Sequence, residues 1–206
     1  MTLFVKIVLV VNRGGSEVTG YILGILGFLC LLGFDLLSKN HKKLSKYLFL
    51  VSGIMFLLIG SILIAQSNTR FILPTSIRVL FGVMTILFLL LLVYSVVYEV
   101  GKNTYQYHQV PKLITNGTYA LSRHPGVLWL FGFYLSLGLA LTNQGLLIAA
   151  VVFTFANTIY VYVQEKIIFI HIFDHYQKYQ QHTPFILPNY RSLKAFINNK
   201  KMEEKN

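Results

Sequence analysis

The sequence predicts an all-α fold: a polytopic membrane helix bundle of about five transmembrane helices, ending in a helical hairpin and a polar tail. Three observations carry that expectation. Of the 206 residues, 55% are hydrophobic and only 12% charged, and the mean hydropathy is +0.61, too apolar for a soluble domain of this size. The apolar residues gather into runs of about 20, the length that crosses roughly 30 Å of hydrocarbon at about 1.5 Å per residue. Short connectors rich in Asn, Ser, Lys, Gly and Pro separate these runs.

Taken in order, Met1 to Val11 is an apolar stretch interrupted by Lys6 and closed by Asn12, Arg13, Gly14 and Gly15. It is too short to span and lacks the basic start of a signal peptide, so it reads as an interfacial or extracellular lead-in. The expected spans follow at about Val18 to Leu37, Leu44 to Gln66, Ile77 to Tyr98, Gly126 to Leu141 and Gly145 to Phe169. A tight turn at Thr142, Asn143 and Gln144 makes the last two a hairpin. The organisation expected along the chain is three helices over residues 1–100, then a connector, hairpin and tail over 101–190. A stretch without fixed structure follows over 191–206, its last residues from Asn198 being polar and charged.

The net charge of +11, from 18 Lys and Arg against 7 Asp and Glu, would suggest nucleic acid in a soluble protein. Membrane topology accounts for it better, and no nucleic-acid partner is expected. Basic residues of short loops stay on the cytoplasmic side. With the N-terminus outside, Lys39, Lys42, Lys43, Lys46, Lys102, Lys112, Arg123, Lys166, Lys178, Arg191, Lys194, Lys200, Lys201 and Lys205 fall inside, against Lys6, Arg13, Arg70 and Arg78 outside. The connector from Glu99 to Pro125 and the tail from Lys166 are then cytoplasmic. Low cysteine use and short loops suit a bacterial cytoplasmic membrane. The single cysteine, Cys30, excludes a disulfide framework and a multi-cysteine metal site. No internal repeat, discontinuous helix pair or intramembrane acidic ring points to a transporter or channel.

The informative segment runs from Leu113 to Pro188. Arg123-His124-Pro125 opens the fourth span, with proline placed where its missing N–H is harmless and two cationic or polar side chains beside the positive end of a helix. Such a place favours an anion. Glu165 lies far enough beyond the hairpin turn to return to the same membrane face, and a carboxylate near a hydrophobic helix end needs a partner, for which Arg123 and His124 are nearest. Thr154, Asn157, Thr158, Gln164 and Glu165 recur at helical spacing and give the fifth span a polar stripe expected to face the bundle. Read on spacing alone, the same residues also fit a topogenic arginine, an interfacial histidine and their salt-bridge partner. His171, His175 and His182 lack a supporting cluster of ligands, so no metal is expected. The sequon at Asn116-Gly117-Thr118 is removed from use by its expected cytoplasmic position. Asp35, Arg78 and Glu99, near helix ends, read as interfacial.

This stretch resembles the carboxy-terminal half of the isoprenylcysteine carboxyl methyltransferase and phospholipid methyltransferase group of integral membrane enzymes. Members show Gly-x-Tyr, then Arg-His-Pro, a helical hairpin, a Glu-Glu pair, and a tail of spaced tyrosines ending in Pro and Leu-Pro. Here the corresponding residues are Gly117, Tyr119, Arg123, His124 and Pro125, then Gln164 and Glu165, then Tyr176, Tyr179, Pro184, Leu187 and Pro188. The resemblance covers roughly the last 90 residues; the first three helices match only in being hydrophobic. It implies methyl transfer from S-adenosylmethionine to a membrane lipid or lipophilic small-molecule acceptor through a carboxyl, thiol or amine. Arg123 and Glu165 are then the catalytic candidates. The cofactor's carboxylate would lie near Arg123, His124 and the helix start, Glu165 (with Gln164 beside it) would supply negative charge for the sulfonium and amino groups, and Tyr176 and Tyr179 on a short helix would cover the adenosine. The segment from Pro184 to Pro188 would close the pocket. The chain departs from the pattern at Val127 and Trp129, where Tyr and Gly are usual, and at Gln164, where the acidic pair is reduced to one carboxylate. Two other classes fit the same placement: a membrane reductase using NADPH, and a catalytically silent lipid-binding or scaffold member.

Overall fold

The computed structural model describes residues 3–39, 43–67, 70–100, 113–173 and 175–203. Lys42, residues 101–112 of the connector with Lys102 and Lys112, Asp174, and the end of the tail with Lys205 lie outside the described residues.

Among the described residues every regular element is helical. They are α1 (Leu3–Lys39), α2 (Lys43–Ala65), α3 (Thr75–Glu99), α4 (Thr118–Leu121), α5 (Pro125–Ala140), α6 (Gln144–Ile172), α7 (Tyr176–His182) and α8 (Tyr190–Glu203). Four stretches, Gly15–Leu37, Tyr47–Ala65, Thr75–Glu99 and Gln144–Ile172, are long and apolar enough to cross a membrane. α5 is apolar but shorter, 16 residues, or roughly 24 Å of helix. The chain is thus a multi-pass helical membrane protein. Exposed Leu80, Val83, Leu87 and Leu90 on α3 are what a helix shows when its surroundings are hydrocarbon rather than water.

Two expectations are corrected. Gly14 and Gly15 do not break the helix, since α1 runs through them without interruption, while the stretch long and apolar enough to span begins at Gly15. A glycine pair weakens a helix by only about 1 kcal/mol per residue, and no proline interrupts the run; the Thr19 hydroxyl donates to the Gly15 carbonyl at 2.7 Å. Nor does the stretch from residue 191 lack structure, because α8 extends to Glu203. Its start is a reciprocal cap: the Ser192 N–H donates to Asn189 Oδ1 at 2.9 Å and the Asn189 N–H to Ser192 Oγ at 3.0 Å.

The chain forms two compact units, each discontinuous in sequence: Met1–Ile86 with Phe131–Tyr160, and Leu87–Leu130 with Val161–Asn206. The division is not the linear one expected at residue 100: its boundaries fall within α3, α5 and α6.

In the first unit, α1 and α2 pack through glycines. A Cβ on Gly60 would lie 2.6 Å from the Gly20 carbonyl oxygen, and one on Gly53 or Gly27 would lie 2.9 Å from the other's. Small residues let backbones approach where no hydrophobic force distinguishes helix from lipid. Phe153 fills the space left by Gly24, packing edge-on to Phe28 and Tyr134 at centroid distances of 6.4 and 5.1 Å. The expected hairpin turn is present, with Thr142 at φ 51°. Asn143, fully buried, accepts the Leu146 N–H at 3.0 Å and donates to the Ala65 carbonyl at 3.2 Å. Arg70 and Arg78 donate to the carbonyls of Leu141 and Ala140 at 2.8 and 3.2 Å, satisfying acceptors left open where α5 ends.

Candidate functional site

The second unit contains every residue expected to bind the cofactor or to act on it. Its buried set is unusually polar: Ser95, Glu99, Thr118, Ser122, His124, Glu165, Thr183 and Ser192. Buried polar groups persist only when partnered; Thr118 and His124 find theirs in the two buried carboxylates.

The first is Glu165. Ser122, extended and fully buried, precedes α5, and its hydroxyl accepts the His124 N–H at 3.2 Å. Main-chain bonds from Arg123 N–H to the Pro184 carbonyl (2.9 Å) and from His124 N–H to the Phe185 carbonyl (3.2 Å) tie the Arg-His-Pro segment to the tail. Pro125 then opens α5, buried as a first-turn proline. The side chains converge on the carboxylate from three directions. Glu165 Oε1 lies 2.8 Å from Arg123 Nε and accepts from His124 Nε2 at 3.0 Å and from the Tyr176 hydroxyl at 2.7 Å, while Gln180 Nε2 donates to Oε2 at 3.2 Å. The Arg123 Nε–H is not aligned on the oxygen, so that contact is an ion pair rather than a directed hydrogen bond. Facing a carboxylate, His124 Nε2 carries the proton.

Aromatic rings fix these groups. His124 stacks on Phe169 at 6.1 Å and meets Phe185 edge-on at 5.1 Å; the Arg123 guanidinium lies over the Phe185 ring at 5.5 Å. Arg123 Nη1 donates to the Gln180 carbonyl at 3.0 Å, and Nη2 takes no partner among the described residues. Burial first, then the hydrogen bond and charge of Glu165, hold the Tyr176 phenol far above its usual value, so it remains a neutral donor. Burial does the same for Tyr179, whose hydroxyl donates to the Tyr119 carbonyl at 2.7 Å.

The second carboxylate, Glu99, is a correction to the sequence reading: it is buried, not interfacial. Its Oε1 accepts the Thr118 N–H at 2.9 Å and its Oε2 the Thr118 hydroxyl. Gly117 makes that possible. It sits at φ +61°, and a Cβ there would fall 1.8 Å from Glu99 Oε1, so this position excludes a side chain on two grounds. The glycine of Gly-x-Tyr therefore makes room for a carboxylate of the same chain. Tyr119 follows in α4, its hydroxyl 3.4 Å from the Ser95 carbonyl and its phenol pushed far up, by burial and then by the Glu99 charge.

Both carboxylates lie on π-helical turns, Glu99 ending the one at Tyr94–Glu99 and Glu165 starting the one at Glu165–Phe169. Such turns re-aim side chains within a helix and occur often at functional sites.

The structure thus brings together Gly117, Tyr119, Arg123, His124, Pro125, Glu165, Tyr176 and Tyr179. Gln164 is half-buried beside them. Leu187 and Pro188 do not join: both are exposed, Leu187 at 74%. Along α6, Asn157, Val161 and Glu165 are buried and Thr154 and Thr158 half-buried, close to the expected stripe. Val127 is fully buried, and Trp129 lies 6.5 Å from the Phe88 ring with its indole N–H buried and unbonded. At the helix start the His124 N–H is bonded to the Phe185 carbonyl and Pro125 has no N–H, while the Arg123 and His124 side chains hold Glu165. His171, His175 and His182 are exposed, and among the described residues no three His, Cys, Asp or Glu side chains stand close enough to share a metal. Gln180, Phe185, Ser122 and Thr118 are partners the sequence reading did not single out.

Comparison with protein-family models, with curated proteins and with solved structures returns no match.

Proposed function

We propose that the chain is an integral-membrane methyltransferase, similar to the isoprenylcysteine carboxyl methyltransferase and phospholipid methyltransferase group, with its second unit on the cytoplasmic face. One observation supports this reading above the others: Arg123, His124 and Tyr176, from both sides of the hairpin, converge on the Glu165 carboxylate, and Arg123 and His124 are bonded through their main chain to Pro184 and Phe185.

The donor set suits S-adenosylmethionine. Arg123 is oriented by Phe185, Glu165 and the Gln180 carbonyl, which leaves Nη2 directed by its partners and open to a carboxylate. Glu165, with four partners, acts by its charge and by holding Arg123 and His124 in place, rather than by a free lone pair. When bound, S-adenosylmethionine supplies a methyl group activated by positive sulfur, so the chain's task is to orient, to balance charge and to exclude water. The exposed apolar flanks of α3 and α6 suit an acceptor that arrives through the bilayer.

The saturation of Glu165 favours a second reading, a silent family member that binds lipid, with Val127, Trp129 and Gln164 as its further support. Full-length protein in lipid nanodiscs, supplied with methyl-labelled S-adenosylmethionine and a mixture of lipophilic carboxylates, thiols and amines, separates the two. Label in the organic extract, lost in Glu165→Gln and His124→Ala, is the outcome expected of the enzyme. No label above that of empty nanodiscs, with folded protein throughout, overturns it, and NADPH oxidation in parallel would indicate the reductase class.

A further inference from the structure

α8 is a 14-residue helix whose inner side is settled by Ser192, buried at 1%, and by packing against α4. At about 3.6 residues per turn the opposite side collects Tyr190, Leu193 and Ile197. These are exposed by 80, 48 and 46%, and Leu187, just before the helix, by 74%. Lys194 is exposed along the flank of this stripe, and Arg191 is exposed further round the helix, on the side of Asn198. No carboxylate interrupts the helix before Glu203. An outward apolar stripe edged by cations is unfavourable against water, and none of these side chains makes a hydrogen bond or ion pair among the described residues.

We propose that this face of α8 docks on the anionic headgroup surface of the same membrane that the α6 span crosses. Two features select that occupant. The flanking charge is cationic, complementary to anionic lipid and opposed to a second copy of the same cationic face. Only 17 residues, 173–189, with α7 among them, separate α8 from the end of the α6 span at Ile172, so the helix lies within reach of the interface. The stripe is too short and too polar on its other sides to span, which leaves the apolar residues at the level of the upper acyl chains and Arg191 and Lys194 among phosphates. Through α4 the docked helix would brace the Gly117–Thr118 backbone that Glu99 holds. The inference is independent of the methyltransferase reading.

The test uses the full chain in a Cys30→Ala background, with one nitroxide at Ile197→Cys or at Asn198→Cys, in nanodiscs of phosphatidylcholine alone or mixed with phosphatidylglycerol. In the mixed discs the label at 197 is expected to be open to oxygen and shielded from a water-soluble nickel chelate, and the label at 198 the reverse. Reversing Arg191 and Lys194 to Glu should reduce the shielded population at 197 in anionic discs by at least the roughly fivefold that one cationic side chain contributes near such a surface, with little change in phosphatidylcholine. Nickel access at 197 equal to that at 198 in both lipids would overturn the proposal. So would shielding that persists in detergent or scales with the number of chains per disc, which identifies a second copy as the occupant.

Discussion

A double-mutant cycle on Arg123 and Glu165 probes the cluster most sharply. The side chains are 12% and 4% exposed, and Nε lies 2.8 Å from Oε1, so the pair is desolvated and the cost of breaking it depends on which partner goes. Arg123→Gln leaves Glu165 with three donors, His124, Tyr176 and Gln180, and should cost about 2 kcal/mol, the value of a hydrogen bond to a charged group. Glu165→Gln strands the guanidinium without a counter-charge and turns an amide donor toward Gln180 Nε2, which should cost about 4 kcal/mol. With both charges gone neither penalty of stranding remains, so the double variant should cost about 4 kcal/mol rather than about 6, a coupling near 2 kcal/mol. In a chain of this length those costs lower the midpoint of thermal unfolding by roughly 5, 10 and 10 °C respectively. Helical circular dichroism of the detergent-purified proteins reads them, with Lys166→Gln at an exposed neighbour as the silent control. Strictly additive midpoints would refute the pairing and with it the geometry of the site.

Three further outcomes follow from the same structure. Gly117→Ala should destabilise the second unit by about 2 kcal/mol or more, from the positive φ and the approach to Glu99, and part of that loss should disappear in a Glu99→Ala background; equal losses in both backgrounds would dissociate the glycine from the carboxylate. Gly60→Val should disrupt the α1–α2 packing, because its Cβ would lie 2.6 Å from a backbone oxygen, whereas Gly82→Ala, with nothing within 4 Å, should be neutral or slightly stabilising; similar unfolding midpoints would contradict the glycine contact. Tyr119, Tyr176 and Tyr179 are held neutral well above the ordinary phenol value of about 10. Their contribution to stability is complete below that value and falls as pH rises above it, because the unfolded chain ionises first. Tyr176→Phe should therefore leave the phenolate absorbance unchanged about one unit above it, and a loss equal to one ordinary tyrosine would place Tyr176 in water.

The spans were legible because hydrocarbon imposes a length and a composition on any crossing helix; α2, α3, α5 and α6 lie within a few residues of their expected bounds. The pairing of Arg123 and His124 with Glu165 was legible for the same reason, since a hairpin of two rods returns its far end to its origin and an isolated carboxylate there demands a counter-charge. What local pattern could not supply was the choice of other partners. Glu99 looked interfacial because it ends a span, and only the backbone turn at Gly117, across the connector, shows where its charge goes; a glycine between Asn and Thr signals a turn but not what the turn admits. The π-helical turns at both carboxylates leave no trace in hydrophobic periodicity, although they decide which way Glu99 and Glu165 point. α8 was missed because its polar composition suggested a free tail, while Asn189 and Ser192, spaced for reciprocal capping, were the available signal for a helix start.

Binding of S-adenosylmethionine to the detergent-purified protein, by titration calorimetry with NADPH as the control ligand, decides whether the Arg123–His124–Glu165 cluster is a cofactor site. Saturable binding of S-adenosylmethionine and its demethylated product is expected, weakened in Glu165→Gln and His124→Ala variants that remain folded. Absence of binding, or equal affinity in both variants, would contradict the assignment of the Arg123–His124–Glu165 cluster as the cofactor site.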